Sequence, residues 1–253
     1  MSGALASAGP GVLIPEWGVP RAVRAAFTLR SGGVSAAPFD SLNLGTHVGD
    51  APAAVAENRR RVRAGLSLPA EPSWLEQVHG TRVADLDVRG EGTATPADAV
   101  MTRQPGRVCA VQIADCLPVL LATRDAAAVA VAHAGWRGLA AGVLEATVAQ
   151  LGVAAAELVA WLGPAISARH FEVGGEVRAA FLAGDPGADA AFASNARGRW
   201  QCDLVGLARR RLAALGVTEV SGGSWCTYDD PARFFSFRRD GRCGRMAALI
   251  WLE

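Results

Sequence analysis

Short apolar runs with almost no polar interruption restrict this chain more than any other feature. Residues 108–113, 118–122 and 127–132 each have the length of a strand. A strand with one wet face alternates apolar and polar side chains, so a run without alternation needs cover on both faces. The run at 127–132 is the clearest case. Residues 23–29, 74–78, 82–88, 158–162 and 247–252 also read as strands. The first is followed by a turn at Ser31-Gly32-Gly33, His79-Gly80 separates the next two, and 158–162 stops at Gly163-Pro164.

Helix signals lie between these runs. Asp50-Ala51-Pro52 sets an N-cap residue type ahead of a first-turn proline and opens a helix to about Leu66. Another starts near Trp136 or Arg137 and runs to about Leu151. Asp203 caps a further helix that ends at Leu215 before Gly216. About four helices are expected. The order is not a regular strand–helix alternation, so the expected class is α/β or α+β with a mixed sheet or two sheets. Residues 1–20, rich in Gly, Ala and Pro, are expected to form a flexible arm, and 183–191 a loop. No linker or repeat divides the rest, so 21–253 is expected to be a single domain.

Composition narrows the chemistry. All 25 basic residues are arginine. Without lysine there is no Schiff base, no pyridoxal-phosphate anchor and no phosphate-loop lysine. Any bound anion falls to arginine, backbone N–H groups or a metal. A net charge of +1 argues against an obligate nucleic-acid binder. No apolar run approaches the roughly 18 residues of a membrane span, and no signal peptide is evident. Five scattered cysteines do not make a disulfide framework and fit a reducing cytoplasm.

Three residues share a setting at the ends of apolar strands. His79 sits in Glu76-Gln77-Val78-His79-Gly80, Cys116 in Ala114-Asp115-Cys116-Leu117-Pro118, and His133 in Ala132-His133-Ala134-Gly135-Trp136-Arg137-Gly138. Strand ends are held by the scaffold and exposed by loops, which is where active sites collect. Two imidazoles and one thiolate make a zinc set with one open position, and zinc lowers the pKa of a bound water to about 7. The intervals of 37 and 17 residues obey no local rule. On spacing alone Cys116 reads equally as a small buried apolar residue, and each histidine as hydrogen-bonded structure.

Further motifs accompany these in order: Phe39-Asp40-Ser41-Leu42-Asn43-Leu44-Gly45 before them, then Gly163-Pro164-Ala165-Ile166 and Phe235-Ser236-Phe237-Arg238-Arg239-Asp240-Gly241 after. On this series the chain, from about Val23 to Leu252, resembles the YfiH or laccase-domain (multicopper polyphenol oxidase) family. The resemblance implies a layered α/β sandwich of mixed sheets flanked by helices. It implies metal ligation, and with it catalysis, at His79, Cys116 and His133. It also implies a zinc-dependent purine nucleoside phosphorylase for adenosine, inosine, guanosine and methylthioadenosine, with adenosine deaminase as a further activity. The H-x-E…P-C-x-x-C signature of zinc deaminases is absent. Two departures from the family are Cys243, where Thr is expected, and Phe237, where Tyr is common.

Phosphorolysis needs phosphate held near the anomeric carbon, and the planar donors of arginine suit that task. Arg59 and Arg238 are the candidate anion-binding side chains, and N–H groups of residues 135–138 add a helix start. Asn43 is a candidate reader of base or ribose, and Gln77 and Asp115 complete the substrate set, Asp115 by holding a ligand in place. Against these stand plainer roles: Arg59 on a solvated helix face, Asn43 in a turn. The expected partners are a purine nucleoside and phosphate, with no nucleic acid and no membrane, and a monomer is the favoured assembly. Three other readings stay open. One is a hydrolase editing peptidoglycan precursors, with Cys116 as nucleophile or zinc ligand. Another is a copper polyphenol oxidase, for which four histidines are too few to build a multicopper centre. The third is an arginine-rich binding module.

Overall fold

The structure is a computed structural model and describes residues 10–88 and 94–253. Its strands, numbered along the chain, form three sheets. The first has the order β1 (Val12–Leu13), β2 (Val23–Thr28), β14 (Met246–Leu252), β6 (Val108–Ile113) and β3 (Ser73–Trp74). The second has the order β13 (Glu219–Gly222), β9 (Leu158–Leu162), β7 (Leu117–Thr123), β8 (Val129–Ala134), β5 (Ala99–Thr102) and β4 (Val83–Asp85). Both mix parallel and antiparallel pairs. A small antiparallel sheet joins β10 (Glu172–Val173), β12 (Trp200–Cys202) and β11 (Phe192–Ser194). The helices are α1 (Pro52–Gly65), α2 (Trp136–Ala141), α3 (Val143–Leu151), α4 (Gly175–Leu182), α5 (Leu204–Leu215) and α6 (Phe237–Asp240).

The unbroken apolar runs become the central strands, each buried along its whole length. Because side chains alternate across a strand, each run feeds two cores. Leu120 and Ala122 of β7, Val129 and Val131 of β8, and Val111 and Ile113 of β6 meet Phe27, Met246 and Ile250 between the two large sheets. Leu117, Val119 and Leu121, with Ala130 and Ala132, face the other way, onto Leu144 and Val148 of α3 and Leu207 and Leu212 of α5. On the far side of the first sheet, Ala110 and Leu249 pack with Leu42, Leu44 and Val62. The result is a helix–sheet–sheet–helix stack. The alanines of β8 let the second sheet lie close to its helices.

Several boundaries differ from the sequence expectation, each for a local reason. The helix expected over 136–151 is two, broken where Gly142 takes φ +104°. Six α-helices form among the described residues instead of about four. Ala51, not Asp50, is the N-cap of α1; the Asp50 carboxylate instead accepts the Ala51 N–H and bonds Ser35 and Asn43. The strand expected over 74–78 is cut to Ser73–Trp74, and 82–88 to Val83–Asp85. The arm expected over 1–20 is not loose throughout: Val12 and Leu13 pair with Thr28 and Phe27. Its residues 1–9 lie outside the described residues. Residues 186–191 of the expected loop coil into 3-10 turns (Pro186–Ala191).

Candidate active site

Two strand registers bring distant residues together. In the antiparallel β7–β8 pair, Leu117 faces Ala134 and Pro118 faces His133, which puts Cys116 beside the end of β8. In the β5–β8 pair, Ala99 faces Ala132, so Asp98, just before β5, reaches His133. The chain crosses from the first sheet to the second between β6 and β7. There Asp115 takes φ +85°, an uncommon conformation for a non-glycine residue. His79 is left-handed too, at φ +60°.

His79, Cys116 and His133 converge, with ligand atoms all within 4.8 Å of one another. The Cys116 sulfur lies 3.9 Å from His79 Nε2, and the two imidazoles meet edge to face at 4.8 Å. Gly135 gives this cluster its room. A Cβ at that position would lie 2.9 Å from the Cys116 sulfur and 3.0 Å from the His79 ring.

The organising acid of this cluster is Asp98, which the sequence reading missed. It is fully buried. One carboxylate oxygen accepts His133 Nδ1 at 2.8 Å and the His79 N–H at 2.9 Å. The other accepts the N–H groups of Val78 and Gly80 at 3.1 and 2.6 Å. Burial would raise its pKa, but the bond to His133 and the backbone donors outweigh that and hold it below the usual carboxylate value. With Nδ1 bonded to Asp98, His133 aims Nε2 at the cluster, and loss of the Nε2 proton would free the lone pair that metal-ligating histidines use. Burial would likewise push the Cys116 thiol up, but His133 and His79 bring it down to about 6. Burial opposes the charge on His133 in turn, and the facing thiolate and Asp98 lift it to about 9. The buried Cys202, without such neighbours, is pushed up to about 12. Thiolate character and an oriented imidazole are what a metal needs from its ligands. No local spacing could reveal Asp98, because it stands 35 residues from His133.

This cluster forms one wall of a cleft of about 500 Å³, a size usual for small-molecule sites. Arg137, Arg238 and Arg245 rim it, and Trp136, Phe171 and Phe237 supply rings. Phe237 is 58% exposed, unusually open for a large apolar side chain. The Arg137 guanidinium lies over Trp136 at 4.5 Å, with no ion pair or hydrogen bond among the described residues. Gln112 is buried, lines the cleft, and has a side-chain oxygen with no partner among them. His47 also lines it; burial, then Arg245 and Arg59, lower its pKa, so its imidazole is neutral at pH 7.

Of the other expected residues, Arg238, Gln77 and Asp115 reach the cleft, and Asn43 and Arg59 do not line it. Asn43 is fully buried; its amide bonds Gly45, Asp50 and the Arg245 N–H, which shapes the loop. Arg59 gives its guanidinium to the Leu44 carbonyl and stacks on Trp74 at 4.2 Å. Gln77 pairs both amide ends with the Gln112 backbone. Asp115 accepts Thr227 Oγ1 at 2.6 Å and the Arg238 N–H at 2.7 Å, tying the Cys116 turn to α6. Arg238 also donates to the Glu172 carbonyl.

A family model described as multi-copper polyphenol oxidoreductase laccase matches residues 24–253. The chain belongs to that family. In this laccase-family chain, 242 residues are 56% identical to a purine nucleoside phosphorylase of Pseudomonas aeruginosa, over 95% of this chain and 98% of that one. They are 52% identical to the purine nucleoside phosphorylase YfiH of Escherichia coli, with the same coverage. A solved structure of a Neisseria meningitidis protein superposes with a TM-score of 0.91 at 47% identity, covering 96% of this chain and 99% of that one. YlmD from Geobacillus stearothermophilus gives 0.86 at 33% identity, covering 92% and 93%.

The copper in the family's description is a test the residues can answer. Only two histidines join the donor set; His47 stands elsewhere in the cleft, and His170 bonds Asp229. No methionine lines the cleft among the described residues. The donor set fits one ion and does not fit a multicopper cluster. No helix among the described residues is long and apolar enough to cross a membrane.

Proposed function

We propose that this chain is a purine nucleoside phosphorylase whose cleft holds one zinc ion through His79, Cys116 and His133. The observation that carries the reading is the company the donor set keeps. An unpaired arginine fork at Arg137, an unpartnered buried acceptor at Gln112 and an exposed ring at Phe237 open onto the same cleft. Those are the groups that an anion, a polar base or sugar, and an aromatic base require. The phosphorylase names of relatives at 56% and 52% identity support it.

Phosphorolysis replaces the bond from C1′ to the purine nitrogen with a bond from C1′ to a phosphate oxygen. The bond electrons leave with the base, which takes up a proton. Arg137, aided by Arg238, holds the phosphate by charge-assisted hydrogen bonds. Phe237 and Trp136 give the base an apolar face. Gln112 accepts from a substrate hydroxyl or amine, the neutral His47 imidazole offers an N–H hydrogen bond to the departing base, and the base takes its proton from the phosphate co-substrate or water. A bound zinc ion supplies Lewis acidity to this cleft. Two imidazoles and a thiolate favour zinc over harder ions. Adenosine, inosine, guanosine and methylthioadenosine all present these features.

Incubation with adenosine, with and without phosphate, tests the reading. Adenine and ribose-1-phosphate that form only with phosphate are expected. Inosine as the only product, with no ribose-1-phosphate even when phosphate is present, would overturn it in favour of deamination; among the described residues the carboxylate lining the cleft, Asp115, is bound to Thr227 and Arg238. Stoichiometric copper with a strong blue band would overturn the choice of zinc.

A further inference from the structure

We propose that His170, Cys226 and Asp229 form a second metal site, separate from the cleft and suited to zinc or a similar borderline divalent cation. Their ligand atoms lie within 4.8 Å of one another, and the group shares no residue with the first. The site joins two turns. One carries Ser167 and His170 toward β10; the other, residues 226–229, follows the bridge between Ala165 and Cys226. His170 Nε2 meets Asp229 Oδ1 at 2.5 Å across 59 residues of sequence. The imidazole is stacked on Tyr228, the only tyrosine in the chain, at 4.2 Å and 12°, which fixes its plane. The Ser167 N–H points at the Cys226 sulfur at 3.4 Å, and the buried Ser167 hydroxyl has no partner among the described residues.

One nitrogen, one sulfur and one oxygen donor make a set that zinc takes readily and that magnesium or calcium does not. Bonds of about 2.0–2.3 Å put tetrahedral donors roughly 3.3–3.8 Å apart. The present group closes onto an ion by side-chain rotation. The His170–Asp229 hydrogen bond opens, the thiol proton of Cys226 is released to solvent, and both side chains turn to the cation. The His170 and Asp229 side chains are 19% and 45% exposed, so an ion can enter and keep a water as a further ligand. Occupancy clamps the two turns. The residue after Cys226 is Thr227, whose hydroxyl holds Asp115 beside Cys116. The second ion therefore braces the cleft from behind without touching substrate.

The test uses the Cys116→Ser protein, so that the first site contributes no thiolate, titrated with cobalt(II) and followed by the sulfur-to-cobalt charge-transfer band. One equivalent is expected to bind with that band. Adding Cys226→Ser should abolish the band, and adding His170→Asn should weaken binding by at least about tenfold, with far-ultraviolet circular dichroism unchanged. If Cys226→Ser fails to fold, His170→Asn carries the test. Cys116→Ser protein that shows no sulfur-to-cobalt band on titration, or His170→Asn protein whose band titrates as tightly as its parent's, would overturn the proposal. These outcomes do not depend on phosphorolysis or on a metal in the cleft.

Discussion

Replacing Asp98 by Asn probes the logic of the site more sharply than replacing a ligand. The carboxylate accepts four hydrogen bonds, one from His133 and three from the backbone of residues 78–80. An amide has one oxygen, which keeps the donors of one side only. Its NH₂ group then faces the other pair, donor against donor. Two bonds to a charged acceptor are lost in a fully buried place, at about 1.5–3 kcal/mol each. The expected loss of stability is about 3–6 kcal/mol, measured by urea unfolding in the presence of chelator. Small domains are stable by about 5–15 kcal/mol, so the variant should still fold. Either the backbone bonds of Val78 and Gly80 are lost and the loop that carries His79 loosens, or His133 loses the acceptor that orients it. Metal affinity should fall about 10- to 100-fold, read by competition with a chromogenic chelator. An Asp98→Asn protein with parental metal affinity and parental urea midpoint would refute the claim that this carboxylate organises the cluster.

Other consequences follow from the same geometry. With metal removed, Cys116 should react with iodoacetamide at a rate that rises with pH through about 6, because the thiolate is the reactive form; added metal should protect it, and Cys202, pushed up to about 12, should stay inert. Gly135→Ala should fold but lose at least tenfold in metal affinity, since its Cβ would stand 2.9 Å from the Cys116 sulfur; unchanged affinity would mean that the wall can yield. Arg137→Ala should raise the phosphate KM at least tenfold with little change in melting temperature, whereas Arg59→Ala should lower the melting temperature and leave that KM alone; the reverse pattern would restore Arg59 as the anion ligand. Leu121→Ala, in the core between β7 and its helices, should cost about 2–5 kcal/mol of unfolding free energy.

The legibility of the molecule divides along the range of the interactions. Unbroken apolar runs marked β6, β7, β8 and β14, because burial on both faces leaves its trace in each run separately. Gly216 marked the end of α5, because a left-handed residue is a local demand. The Gly142 break went unread because the residues beyond it are again good helix formers. Asn43 and Arg59, expected at the substrate, are held by fold contacts instead of lining the cleft, for a shared reason. A polar side chain in a motif can serve substrate or fold, and only its partners distinguish the two.

His79, Cys116 and His133 stood out as chemistry at the ends of strands, and their motifs carried the family with them. The residues that make the cluster work did not stand out. Asp98 meets His133 only because β5 pairs with β8 in one register, and Cys116 meets both only because β7 pairs with β8 in another. His170 and Cys226 come together through a bridge between segments that no spacing links. A strand's need for burial is written in its own side chains. The pairing partner and the register are chosen by the whole chain at once, from the sum of many small contacts. The donor types were therefore readable one by one, while the carboxylate beside them, the cleft arginine stacked on Trp136 and the second donor group emerged with the packed sheets.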